Sequence, residues 1–181
     1  MLSTYPLTSP IPTISTERLR LRGHYSTDLA PFTAMFQQPA VYTYLGGQPV
    51  PEEDVWTKIL RNNGLWPLLG FGYWAVEEKA TGHYIGAVGF ADYQRAIEPS
   101  IKGEPEIGWV LSPQVHGRGY ATEAVQAALA WGNRHFTSSR TVCIIDPANT
   151  ASLRVAAKCG YEPVQLTSYK GQDILLLARP Q

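Results

Sequence analysis

Cysteine is scarce in this chain: Cys143 and Cys159 are its only two, with neither a CxxC pair nor a Cys/His spacing that would hold a metal. A disulfide framework and a metal centre therefore drop out, and two buried, reduced thiols are expected. Charge of one sign is lacking too. Lys plus Arg and Asp plus Glu number 15 each, without a local run of either, which argues against nucleic acid as a partner. No apolar run reaches the length of a membrane span, and the stretch from Met1 to Ser15 has no basic segment followed by an apolar one. The expectation is a cytoplasmic protein without a membrane partner. Internal repeats are absent, and low complexity is confined to the proline-rich start.

What is present suits one domain: 181 residues, 44% of them hydrophobic, can bury an ample core. Pro6, Pro10 and Pro12 make residues 1–14 read as an extended, poorly ordered arm with order beginning near Ser15, after which Leu19-Arg-Leu-Arg22 alternates as a strand does. Asp28 is placed to cap a helix through about Gln37, and a second helix is expected from Pro51 to Leu60. Asn62-Asn-Gly-Leu-Trp-Pro67 reads as a break, as does the glycine-rich segment around Tyr42, Tyr44, Gly46 and Gly47. Strands are expected at Tyr73–Glu77, Tyr84–Phe90 and Glu106–Leu111, the first two as a hairpin. A helix from Ala121 to His135, a strand Thr141–Ile145, a helix Thr150–Lys158 and strands Tyr161–Leu166 and Asp173–Ala178 complete an α/β layout. In the long helix Ala121, Ala124, Val125, Ala128, Leu129 and Gly132 share one face, small enough to approach a sheet closely.

The most informative segment runs from Glu106 to Glu123, a strand leading through a glycine-punctuated turn into that helix. Gly117 and Gly119 let the chain turn sharply and bring backbone N–H groups near an anion. The first N–H groups of the helix, from Tyr120, Ala121 and Thr122, lack intrahelical partners, and the helix dipole adds to their pull on negative charge. Arg118 adds a cation, and a diphosphate fits all three. An ordinary glycine-rich turn is the competing explanation.

This segment resembles the cofactor loop of the GNAT superfamily of acetyltransferases, Gln-x-x-Gly-x-Gly/Ala before a helix, with Gln114, Gly117 and Gly119 in the matching places. Asn149-Thr-Ala-Ser152, followed by Lys158-Cys-Gly160-Tyr161, resembles a second signature of the same family. Thr16-Glu-Arg-Leu-Arg-Leu-Arg22 and Gly82-His-Tyr-Ile-Gly-Ala-Val-Gly89 are similar to the branch containing RimJ/RimL-like ribosomal-protein N-terminal acetyltransferases. The resemblance implies a mixed, mostly antiparallel sheet (α+β) flanked by helices, with two splayed central strands. It implies acetyl-CoA as cofactor, held by Gln114 and the amides of the loop to Thr122. In that fold Val110 and Leu111 would offer backbone groups to the pantetheine amides, and Asn149 would contact the same arm.

Acetyl transfer to an amine needs a base for the ammonium and, where the thiolate is not expelled as an anion, an acid. Glu106 opens the strand before the loop, and a Glu at this place in related enzymes is often proposed as the base, acting directly or through water. Its alternatives are a solvated carboxylate at the strand end or an ion pair with Arg95 or Lys102. The resemblance puts Ser152 near the sulfur as a candidate acid, whereas Asn149 and Ser152 also fit a plain helix cap and first turn. The helix from Asn149 to Lys158 holds no Tyr, the residue many GNAT enzymes use there. Lys158 would reach a CoA phosphate or else interact with its own helix end. His116 flanks the cofactor without a proton-transfer role.

Tyr44, Trp56, Arg95 and Glu98 are candidate walls of an acceptor pocket, for a small-molecule or peptide amine that the sequence does not specify. A homodimer is left open. Two rival readings stand beside this one. A Rossmann-type dinucleotide enzyme would use Gly117-x-Gly119 and Asp146, although Thr122 occupies the third glycine position. A non-catalytic acyl-CoA binder would keep the loop without the chemistry.

Overall fold

Leu19 and Leu21 alternate with two arginines, and both leucines are fully buried, so a two-residue period does set the first long strand. The computed structural model describes residues 11–180. The elements in chain order are β1 (Ile14–Ser15), β2 (Leu19–Arg22), α1 (Leu29–Phe36), α2 (Pro39–Tyr42), α3 (Glu52–Leu69), β3 (Tyr73–Glu78), β4 (Tyr84–Ala91) and β5 (Glu106–Leu111). They continue with α4 (Tyr120–His135), β6 (Arg140–Ile145), α5 (Thr150–Lys158), β7 (Glu162–Tyr169) and β8 (Gln172–Pro180).

The eight strands form one sheet in the order β1-β2-β3-β4-β5-β6-β8-β7. Every neighbouring pair is antiparallel except β5 and β6. This is the mixed sheet expected, and it excludes a doubly wound dinucleotide fold, which needs successive parallel strands. Alternation along β5 divides its side chains between two cores. Ile107, Trp109 and Leu111 pack with Ala124, Val125 and Ala128 of α4, while Val110 packs on the other face with Phe32, Val55 and Ile59 of α1 and α3.

Four expectations are corrected. Residues 1–10 lie outside the described part, but the supposed arm is structured from Ile11: the Pro12 carbonyl accepts from Trp74 Nε1 at 2.7 Å, and Ile14–Ser15 pairs with β2. Asp28 sits at the start of α1 without capping it. Its buried carboxylate accepts both guanidinium N–H groups of Arg22, at 2.8 and 3.0 Å, and the Tyr25 N–H at 2.8 Å, a stronger set of partners than a helix amide. Pro39–Tyr42 is a short helix inside the segment read as a glycine-rich connection. Most notably, α3 does not end at Leu60 but continues through Asn62-Asn63-Gly64 and Pro67 to a left-handed Gly70. Tertiary contacts outweigh its weak local propensity: Asn62, Leu65 and Trp66 are buried, and the Trp66 ring centroid lies 4.7 Å from Trp74 and 5.4 Å from Trp131.

Candidate functional site

The two parallel strands barely touch. β5 and β6 share a single bridge, Glu106 opposite Val142, with the Val142 N–H donating to the Pro105 carbonyl at 3.1 Å. β5 is paired along its whole length to β4, and β6 along its length to β8, so their facing edges diverge into a wedge. The wedge is closed at Glu106 and opens toward Ser112 and Asp146. Strand parity decides what its wall presents. Pro105 faces β6 and the Ser112 N–H donates to Ile85 of β4, so Trp109 and Leu111 turn their backbone groups into the wedge and Val110 turns to β4. Of the two residues expected to offer backbone there, Leu111 does so; its carbonyl lies 3.0 Å from His116 Nε2, which must carry the proton because a carbonyl only accepts.

At the open end, Pro113–Val115 make one tight helical turn started by Ser112 Oγ accepting from the Gln114 N–H, and buried Val115 anchors it in the core. Gly117 and Gly119 then take φ of +73° and +79°, values a side chain would oppose. The first helical bond of α4 runs from Glu123 N–H to the Gly119 carbonyl. Among the described residues, no hydrogen bond engages the N–H groups of Gly117, Arg118, Gly119, Tyr120, Ala121 or Thr122. These amides and the start of α4 together could take an anion.

Arg118 does not stand free beside it. Its guanidinium lies 3.0 Å from the Tyr120 hydroxyl and 3.3 Å from Glu78 Oε1, while the Tyr120 hydroxyl donates to the same carboxylate oxygen at 2.6 Å and Thr81 Oγ1 to the other at 2.9 Å. The bonds from Tyr120 and Thr81 hold the Glu78 carboxyl below its usual range, and Glu78 in turn pushes the Tyr120 phenol up. Gln114 and Arg118 border a groove of about 630 Å³ on the α1 side of the loop; Gly119, Thr122 and Lys158 border a second hollow of about 410 Å³ on the other.

Glu106, at the closed end, is buried and held by Arg95 in a two-pronged pair, Nε to Oε2 at 2.6 Å and Nη2 to Oε1 at 2.8 Å. Arg95 lies over the Tyr93 ring at 4.6 Å and the Tyr169 ring at 4.8 Å. Burial works against its charge, but Glu106 outweighs it and Arg95 is held above the usual arginine range. The Tyr73 hydroxyl reaches over Gly108 of β5 close enough that a Cβ there would meet it at 2.2 Å. Trp56 packs on this face with Val110 and Tyr73. Tyr44 lies exposed in the turn after α2, and Glu98 is exposed, contributing its backbone carbonyl to Thr167 Oγ1 at 2.7 Å. Asn149 caps α5, its Oδ1 accepting from the Ser152 N–H at 3.0 Å, and Lys158 ends that helix. Ser152 lies in the first turn of α5.

Residues 18–162 match the family model described as acetyltransferase (GNAT) domain. The chain belongs to the GNAT acetyltransferase family. It is 33% identical over 147 residues to YkkB of Bacillus subtilis (strain 168), a match covering 80% of this chain and 82% of that protein. Among solved structures, an acetyltransferase from Agrobacterium tumefaciens str. C58 superposes with a TM-score of 0.81 at 27% identity, covering 99% of this chain and 100% of that one. RimL, a ribosomal L7/L12 α-N-protein acetyltransferase solved with coenzyme A, shares the fold at a TM-score of 0.73 and 20% identity, over 93% of this chain and 98% of its own.

Several residues around this GNAT wedge escape sequence reasoning. Arg18 and Glu123 meet across 105 residues of chain, Glu78 reaches the loop from the β3–β4 hairpin, and Tyr93 and Tyr169 converge on Arg95 from a loop and from β7. No spacing rule links such distant positions.

Proposed function

We propose that this chain transfers the acetyl group of acetyl-CoA to a primary amine, by direct attack in a ternary complex, with the donor lying in the β5–β6 wedge. The observation that carries this is the wedge itself: two unpaired strand edges leading to six free amides at the start of α4. Acetyl-CoA supplies an acetyl thioester and a thiolate leaving group whose thiol has a pKa near 8.5, about that of cysteine. The amides of Gly117 to Thr122 hold the diphosphate, and the backbone of Trp109 and Leu111 pairs with the pantetheine amides. Asn149 contacts the same arm from α5. From the loop to Glu106 is five strand residues, about 17 Å, which sets the reacting end beside the closed end of the wedge.

There the acceptor approaches over the face carrying Trp56, Tyr73 and Arg95. Glu106 takes the proton from the incoming ammonium through water, since both of its oxygens are engaged by Arg95 and a direct approach would have to break that pair. The thiolate leaves as the anion and takes up, through water, the second proton shed by the attacking nitrogen. The acceptor is an amine on a small molecule or at a protein N-terminus. The Thr16–Arg22 segment favours the RimJ/RimL-like branch, and spermidine N-acetyltransferase, solved with CoA and spermine, shows that this fold also serves polyamines.

The test is CoA release from acetyl-CoA against a panel of N-terminal peptides, polyamines and aminoglycosides, repeated with Glu106→Gln. The expected result is turnover with one class of amine, and a fall in kcat of about a hundredfold or more in the variant at little-changed CoA affinity. Unchanged turnover at saturating amine would remove Glu106 from the mechanism. CoA binding without transfer to any amine would instead favour a non-catalytic binder.

A further inference from the structure

Arg18 falls within the Thr16–Arg22 segment but has no role in the site described above, yet three separate contacts tie it to the loop before α4. Its Nη1 donates to the Arg118 carbonyl at 2.8 Å. Its Nε and Nη2 both reach Glu123 Oε2, each at 2.6 Å, and its guanidinium lies 4.4 Å from the centre of the Tyr120 ring. Glu123 is fixed in turn, because its Oε1 also accepts from Thr16 Oγ1 at 2.5 Å and from the Arg18 N–H at 3.0 Å. Burial works against the Glu123 carboxylate, but these bonds outweigh it and hold its pKa down. The β1–β2 turn and the first turn of α4 are thereby riveted together.

The bond to the Arg118 carbonyl has a directional consequence. A trans peptide is planar, with its C=O and the following N–H pointing opposite ways. Turning the Arg118 carbonyl toward Arg18 therefore turns the Gly119 N–H the opposite way. Gly119 has no Cβ, and one added there would come within 3.4 Å of Arg18 Nη2, so arginine and glycine fit as a pair.

We propose that Arg18 is a positioning residue for the phosphate-binding amides: it fixes the Arg118–Gly119 peptide plane so that the Gly119 N–H faces the diphosphate of the donor. It works through the backbone and does not itself touch the acetyl group. This rests on the acetyl-CoA reading of the wedge, and its test separates the two ideas by using two donors. Acetyl-CoA carries the diphosphate and acetyl-pantetheine lacks it, although both present the same thioester to the same end of the wedge.

The experiment measures KM for both donors in the wild-type chain, Arg18→Gln and Arg18→Lys. Losing one well-aimed amide on a charged group raises KM for acetyl-CoA about ten- to a hundredfold, while KM for acetyl-pantetheine moves less than about twofold. Lys keeps the charge and a pair with Glu123 but cannot present a planar fork to Glu123 and the Arg118 carbonyl at once. Arg18→Lys therefore stays folded by circular dichroism and shows the same donor-selective rise. An equal rise for both donors, or none in a folded Arg18→Lys, overturns the proposal. A wild-type chain that binds acetyl-CoA no better than acetyl-pantetheine overturns the phosphate assignment of the loop and this inference with it.

Discussion

His24 is 5% exposed, between the rings of Phe32 and Tyr84, with centroids 5.9 and 6.1 Å away, and neither of its nitrogens has a hydrogen-bond partner among the described residues. Burial, aided by nearby Arg22 and opposed by Asp28, lowers its pKa from 6.5 to about 4. The unfolded chain therefore binds a proton that the folded chain refuses between those values. Stability from this residue is complete above pH 6.5 and is lost as pH falls toward 4, by roughly 3 kcal/mol in all. Urea denaturation across this range should show the unfolding free energy declining below pH 6.5 in the wild type, with a clearly shallower decline in His24→Phe. Below pH 4.5 both proteins lose further stability as Glu78 and Glu123, held below the usual range by their hydrogen bonds, take up protons. Cys159 shows the milder form of the same effect, its thiol pushed up to about 11 by burial, which keeps it inert at neutral pH.

Among the elements, α3 carries the clearest lesson about local signals. Asn62-Asn63-Gly64 and Pro67 are weak helix formers, and every one of them sits inside the helix because Trp66 is drawn into an edge-to-face cluster with Trp74 and Trp131. Trp66→Ala should cost about 3–5 kcal/mol of stability and fray the helix beyond Asn62, read as a lower melting temperature and a loss of helical circular dichroism. β3 to β6, α4 and α5 were legible to within about a residue, because glycine, asparagine and hydrophobic period agree there. The glycine turn before α4 was legible for the same reason. The Arg95–Glu106 pair was one of the alternatives the residues left open, and its rings were not foreseen, since Tyr169 lies 63 residues after Glu106 in the chain. Buried charge hid Asp28 as well: its cap-like position was readable, its pairing with Arg22 was not.

For the whole molecule the governing feature is that one bridge joins β1–β5 to β6, β8 and β7, with α4 packed on β5 and in contact with α5 behind it. Donor binding should therefore be visible as protection. In hydrogen exchange, the Trp109 and Leu111 amides, which face the wedge, should slow when acetyl-CoA is added, whereas Gly108 and Val110, already paired to β4, should change little. Slowing of all four alike would mean general stiffening in place of pairing at the open edge. An eight-stranded sheet that lacks continuity at its centre is a sheet waiting for one more strand. On the proposed reading the donor's own amides supply that missing course, so each catalytic cycle removes and restores part of the protein's secondary structure.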